Sequence, residues 1–470
     1  MIALAAALPL PASPVAASPG DAPWDGAVFA GPTAPHPANV AANPAALLLT
    51  TPGTHFFVGG VGRLEQLVVE RRTVDESGAT GPGPTARGTT TGAGGHVGAL
   101  RAWPGGVIAF LATLPPPVET LAGEDALAYH TRGSRSRAFD LATVAAGYRV
   151  TSRISLGLAG SYGTRSTVLR FARDTALEAG RDPDRGTASD CGGARCGFEH
   201  PAATELWTID VGSDPTSLDN LSLSGGVLVR LPGEVLFGLT YQRPWRLGRI
   251  ERTGTARVVA APRDGGAVLT GETTVYDRVP EIVRLGARSR PLERWDLVGE
   301  LRWRRLGTAT RDDVRTYGGD LAAGGVPDLY PRPSGLRDAV ALEVGLEQVE
   351  LGQVARLGAR LGVDTGAVGA ERMSARAPWG RHLSANVGLQ VRLAARWVFQ
   401  LGYGVEYQGD VVVSPGAFDP IDRLDCEDGG HDLELPACAT VRAGYGAPTA
   451  AGTYGRITHA GRLTLRLELP

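Results

Sequence analysis

Residues 295–305 read WDLVGELRWRR, and their side chains alternate in character. Trp295, Leu297, Leu301 and Trp303 are apolar, whereas Asp296, Glu300, Arg302 and Arg304 are charged; Val298 breaks the pattern. Period two is the side-chain period of a β-strand, so one face of this segment meets an oily surrounding and the other a polar one. The same alternation returns along the chain. Leu383, Ala385, Val387, Leu389 and Val391 stand against Ser384, Asn386, Gln390 and Arg392, and Trp397, Phe399, Leu401, Tyr403 and Val405 against Gln400 and Glu406. Leu357, Ala359, Leu361 and Val363 alternate with Arg356, Arg360 and Asp364, and Leu463, Leu465, Leu467 and Leu469 with Arg462, Arg466 and Glu468.

A soluble sandwich alternates too, so the connections decide. Candidate strands lie at about 54–71, 93–103, 106–117, 137–149, 154–172, 218–231, 234–255, 268–290, 295–309, 337–350, 354–367, 382–394, 396–413 and 455–469, fourteen in all. Every second connection is short: Pro104-Gly105, Thr151–Arg153, Pro232–Glu234, Pro291–Arg294, Leu351–Gln353 and Ala394-Ala395. The others are long and rich in Gly, Pro and Asp, the longest running over about 173–217 and 414–454. Tight turns at one end and large loops at the other predict a closed antiparallel transmembrane β-barrel of about fourteen strands, an all-β fold with both chain ends on the periplasmic, short-turn side. Trp103, Trp295 and Trp397 sit beside short turns and Tyr241, Trp245 and Tyr407 near long loops, the places for two interfacial aromatic girdles.

The 65 glycines argue against a helical protein, and no apolar run reaches the ~18 residues of a transmembrane helix. A net charge of −2 gives no reason to expect nucleic acid. Residues 1–17 read as a weak secretory signal that lacks a positive n-region. Cys191 with Cys196 and Cys426 with Cys438 form two close pairs in polar loops, read as local disulfides; with only His200 and His431 nearby, their spacing does not suit zinc. Residues 18–53 are small, apolar and interrupted by proline, and are read as a plug folded into the lumen ahead of a barrel over 54–470; a solvated tail is the alternative.

Within that segment ANVAANPAALL carries Asn43-Pro44-Ala45, which resembles the NPA motif in the N-terminal hatch of the FadL family of outer-membrane transporters for long-chain fatty acids and other hydrophobic compounds. IAFLATLPPP, VEYQGDVVV and the closing GTYGRITHAGRLTLRLEL are similar in placement and character to strands of that family. The resemblance implies capture of a hydrophobic ligand among outer loops, a hatch closing the lumen, and exit sideways into the bilayer through a kinked third strand. Gly105, Gly106, Pro115, Pro116 and Pro117 are the candidates for that lateral opening. It also implies outer-membrane lipid and the barrel assembly machinery as partners, although Pro470 departs from the aromatic ending usual for such barrels.

No catalytic or cofactor-binding motif of familiar spacing is present, so neither enzyme chemistry nor a cofactor or metal is expected. Arg284, Arg288, Arg302, Arg304, Arg356 and Arg360 fall on lumen-facing positions of neighbouring strands, interleaved with Glu300, Glu343 and Glu347. Two readings stand: cross-strand ion pairs, or guanidinium groups free to hold a carboxylate headgroup. The functional expectation is passive uptake of a hydrophobic compound, with a general diffusion porin or a structural surface barrel as the alternative.

Overall fold

The computed structural model describes residues 27–40, 42–74, 80–120, 129–175, 201–245, 250–308, 311–333, 336–348, 354–413 and 450–470. The candidate signal, the start of the plug and all four cysteines lie outside the described residues. The chain forms one antiparallel sheet of 20 strands. From the N-terminus these are β1 (Gly53–Val74), β2 (Thr80–Trp103), β3 (Gly106–Leu114), β4 (Val118–Glu119), β5 (Arg135–Arg149), β6 (Ile154–Asp174) and β7 (Thr204–Ser213). There follow β8 (Leu221–Leu231), β9 (Val235–Pro244), β10 (Ile250–Val259), β11 (Val268–Asp277), β12 (Ile282–Leu292), β13 (Trp295–Arg304) and β14 (Arg311–Tyr317). The last are β15 (Leu329–Pro333), β16 (Ala339–Gln348), β17 (Ala355–Asp364), β18 (His382–Ala394), β19 (Trp397–Val413) and β20 (Gly452–Leu469).

Fourteen of these strands close the wall. Ladders run β1–β2–β3–β5–β6–β8–β9–β12–β13–β16–β17–β18–β19–β20, and β20 returns to β1 with Thr54 opposite Leu469. Closure gives every wall strand two neighbours, which hydrocarbon requires because an unpaired backbone group there costs several kcal/mol. Side chains divide as the alternation predicts. Trp295, Leu297 and Leu301 are exposed on the outer face, while Asp296, Arg302 and Arg304 are buried inside. Val298, the break in the pattern, also points inward and is buried. Trp103, Trp295 and Trp397 are exposed beside the short turns, and Tyr241, Trp245 and Tyr407 near the opposite rim.

Apart from β4, a two-residue strand beside β5, the remaining strands build a second structure. The outer half of β6 pairs with β7, and the sheet continues through β10, β11 and β14 to β15. Three separate long connections therefore contribute to one extension beyond the wall. It curls until Tyr330 of β15 stacks on Phe171 of β6 and meets Trp207 of β7, with ring centroids 5.6 and 5.5 Å apart. Arg173 lies over both Tyr330 and Trp207 and pairs with Glu205 at 3.0 Å, an acid that also accepts the Trp207 indole N–H. This corrects the strand assignment from sequence. The segment 173–217 holds a strand where a loop is expected, and 234–255 and 268–290 are each two strands, one in the wall and one in the extension. Alternation persists across both, because the extension also buries one face.

A charge set into the outer face tests the wall. Leu158 is 71 % exposed, four residues into β6, and Leu158→Arg is expected to lower stability in lipid vesicles by about 2–4 kcal/mol. Urea titration in vesicles measures this, and an unchanged midpoint counts against an outward lipid contact.

Candidate functional site

The N-terminal segment crosses the lumen, and its backbone is held by two asparagines. Asn39 accepts the Gly31 N–H at 3.1 Å and donates to the Ala34 carbonyl. Asn43 caps the 3-10 turn Pro44–Leu49 by accepting the Ala45 N–H at 3.0 Å. Its amide then donates to the Pro32 carbonyl at 2.8 Å and to the Val227 carbonyl of β8 at 3.2 Å. Pro44 at the first position of the turn has no N–H that would need a partner there. Asn43-Pro44-Ala45 is thus a cap, a start and a close contact: Ala45 lies against Gly157 of β6.

That contact belongs to a row of lumen-facing glycines. Gly147, Gly157 and Gly226 stand side by side on β5, β6 and β8, Gly238 faces Gly286 on β9 and β12, and Gly358 faces Gly388 on β17 and β18. At each of them a Cβ would meet the segment: Pro44 or Ala45 at Gly147 and Gly157, Asn43 at Gly226, Pro32 at Gly238 and Gly286, Val28 and Phe29 at Gly358 and Gly388. The glycines form a seat that lets backbone lie on backbone. Apolar packing of Val40, Leu47 and Leu48 against Phe57, Leu100, Val107 and Leu111 holds one side. Arg360, donating to the Ala30 carbonyl at 2.6 Å, holds the other.

The lumen wall itself has two characters. On β2 and β3, and on β5 at Thr143 and Ala145, the inward residues include His96, Gly98, Leu100, Ala102, Val107, Ala109, Leu111 and Thr113, none a carboxylate or guanidinium; nearer the short turns Arg149 of β5 donates to the Leu48 carbonyl at 3.4 Å. From β12 to β20 charged residues recur on the inward face, and many are paired. Arg288 bonds Asp296 at 2.8 Å and Glu347 at 2.9 Å, Arg360 bonds Glu347 at 2.9 Å, and Arg304 bonds Asp364 at 2.5 Å. Arg284 lies 3.4 Å from Glu300 and Arg302 3.7 Å from Glu343. Five of the six candidate arginines thus carry partners in a cross-strand network. The sixth, Arg356, lies 3.6 Å from Glu347, a separation like that of Arg302 from Glu343, and over the Phe29 ring at 5.3 Å.

The stretch of β2 and β3 contains the wall's seam. β3 pairs with β2 only from Gly106 to Leu114, so residues 80–94 of β2 have no ladder partner on that side among the described residues. Pro115, Pro116 and Pro117 follow at once, none able to donate to a ladder, and Pro116 turns inward against Gly94. Opposite, the β3–β5 register slips between Leu111 and Thr113. The three prolines therefore lie together at the seam. Gly105 and Gly106 do not: they belong to the tight turn at the other end of β3, where Gly105 takes a φ of +92°. Above the charged half, Ala367, Val368, Met373, Ala375 and Ala377 of the β17–β18 connection fold inward onto Leu67, Val69, Val413 and Tyr454 as an apolar cap.

His36, which no motif singled out, is buried under the segment with a ring nitrogen 2.6 Å from the Gln400 carboxamide oxygen. Burial, aided by Arg466, pulls its pKa from the ordinary 6.5 to about 4. The glycine seat also escaped sequence reading. Its signal was glycines at inward positions of several strands, legible only once the registers are known.

Compared with known proteins, the sequence matches no family model and no curated relative. Solved structures do match. A Pseudomonas aeruginosa FadL homologue superposes with a TM-score of 0.68 at 12 % identity, covering 98 % of this chain and 100 % of that one. The Pseudomonas putida toluene transporter TodX gives 0.63 at 13 %, over 98 % and 100 %. The Ralstonia pickettii toluene transporter TbuX gives 0.57 at 13 %, over 93 % and 94 %. At these identities the likeness is one of fold.

Two outcomes follow from the seat. Gly226→Ala puts a methyl on Asn43, and Asn43→Ala removes the cap at a cost of about 1–2 kcal/mol. Both variants are expected to raise single-channel conductance in planar bilayers while the barrel keeps its heat-resistant gel mobility. Wild-type conductance in both argues against the seat. The second concerns acid: with the seated pKa about 4 against 6.5, a released His36 takes up a proton that the seated one refuses. Seating therefore weakens as pH falls from about 6.5 toward about 4 and recovers above. Conductance should rise over that window in the wild type and much less in His36→Gln.

Proposed function

We propose that this chain is an outer-membrane transporter of the FadL type that takes up a hydrophobic compound passively, its short turns and both chain ends on the periplasmic side. The observation that carries the reading is the seam at Leu114–Pro117, placed beside inward residues of β2 and β3 that carry no charge. A hydrophobic molecule entering among the outer loops meets the apolar cap first. Below it, straight descent is opposed twice: by the ion-pair network from β12 to β20, where desolvating the charges would be costly, and by the seated segment, which acts as the hatch. The sideways route past His96 and Thr113 avoids the ion-pair network and ends at the outer, oily face beside Val97 and Leu114.

The prolines keep that route open because three consecutive residues without N–H groups cannot continue the β2–β3 ladder. The neighbours' printed substrates, toluene and monoaromatic hydrocarbons, together with the resemblance of Asn43-Pro44-Ala45 to the NPA motif, support a hydrophobic cargo, a long-chain fatty acid among the candidates.

Replacing Pro115, Pro116 and Pro117 together by Ala restores three backbone donors and is expected to let β3 extend along β2. Uptake of labelled oleate or toluene by cells carrying this variant should fall to that of cells lacking the protein, with surface levels unchanged. Undiminished uptake of both would remove the seam from the mechanism. Rapid sugar entry through the wild-type protein in liposome swelling would point to a diffusion pore.

A further inference from the structure

Beneath the N-terminal segment, at the short-turn end, lies a cavity of about 350 Å³, within the range of small-molecule sites. It is separated from the seam, and the uptake route makes no use of it. Its two walls differ. The segment supplies Phe29, Pro35 and Leu49, an apolar surface; the barrel supplies Arg356, Arg392 and Arg466 with Glu347 and Glu468. Those three guanidiniums and two carboxylates leave one positive charge. The acids are also heavily used. Glu347 already receives short bonds from Arg288 and Arg360 at 2.9 Å each, and Glu468 from Arg392 at 3.0 Å and Arg466 at 2.7 Å. Arg356 is left 3.6 Å from Glu347, and the Nε–H groups of Arg356 and Arg466 are buried with no hydrogen-bond partner. His36 at the same cavity adds no charge near neutral pH.

We propose that this cavity binds a small organic monocarboxylate, its headgroup held by Arg356 and Arg466 and its apolar body lying on Phe29, Pro35 and Leu49. Four features select that class. The guanidinium fork matches a carboxylate, the excess of positive charge matches an anion, the apolar wall requires a body beyond the anion, and the volume has room for a body of at least one aromatic ring. Glu347 and Glu468 disfavour a dianion. The inference needs only the seated segment and the cavity beneath it, so it stands apart from the transport reading.

The test is calorimetric titration of the full-length protein in detergent with benzoate, benzamide and inorganic phosphate. Saturable one-to-one benzoate binding is expected, with benzamide and phosphate at least about tenfold weaker. Arg356→Gln and Arg466→Gln, each checked for heat-resistant gel mobility, should weaken benzoate by about tenfold or more. Benzoate binding unchanged in both variants, matched by either other probe, or absent in the wild type overturns the assignment. Oleate or toluene uptake by the same variants reports on transport separately.

Discussion

A backbone in hydrocarbon must satisfy its hydrogen bonds internally, and the architecture follows from that demand. A sheet meets it only by closing, which β20 does by pairing with β1 along nearly its whole length. Closure creates an outside and an inside with different solvents, and the chain answers with alternation. Where strands leave the wall the demand changes but does not vanish. The outer halves of β6 and three long connections form a curled sheet that shields Phe171, Trp207 and Tyr330 in a core of their own.

Closure leaves a lumen to be filled, and the filling is organised by glycine. A segment of irregular backbone is hard to bury, because each of its polar groups needs a partner. Here Asn39 and Asn43 supply partners from within, Arg360 supplies one from the wall, and the inward glycines remove the side chains that would keep the two backbones apart. The seat is therefore sensitive to a single methyl group, and a neutral His36 is part of it.

Charge is distributed unevenly around the lumen, which gives the interior a direction. The paired arginines and acids from β12 to β20 make a rigid polar wall, while the seam lies beside uncharged inward residues of β2 and β3. An ion-pair network of this kind adds little stability for each pair. Its larger effect is to make that wall polar, since the charges there are costly to strip of water. The prolines beyond β3 end the β2–β3 ladder on the side away from that network.

Alternation and the short–long rhythm of connections revealed the barrel, its strand number, its aromatic girdles and the faces of strands such as 295–305, because period two is local and survives without tertiary context. Asn43-Pro44-Ala45 was visible through its resemblance to the NPA motif, and the three prolines because the loss of N–H donors acts over a few residues. Only the tertiary structure could separate Pro115–Pro117 at the seam from Gly105 and Gly106 at the turn, or divide 234–255 and 268–290 between wall and extension. It alone could line up glycines from seven strands beneath one segment, or show which acid each arginine meets. Those facts depend on register and on contacts between residues hundreds of positions apart, and no local period encodes which strand comes to lie beside which.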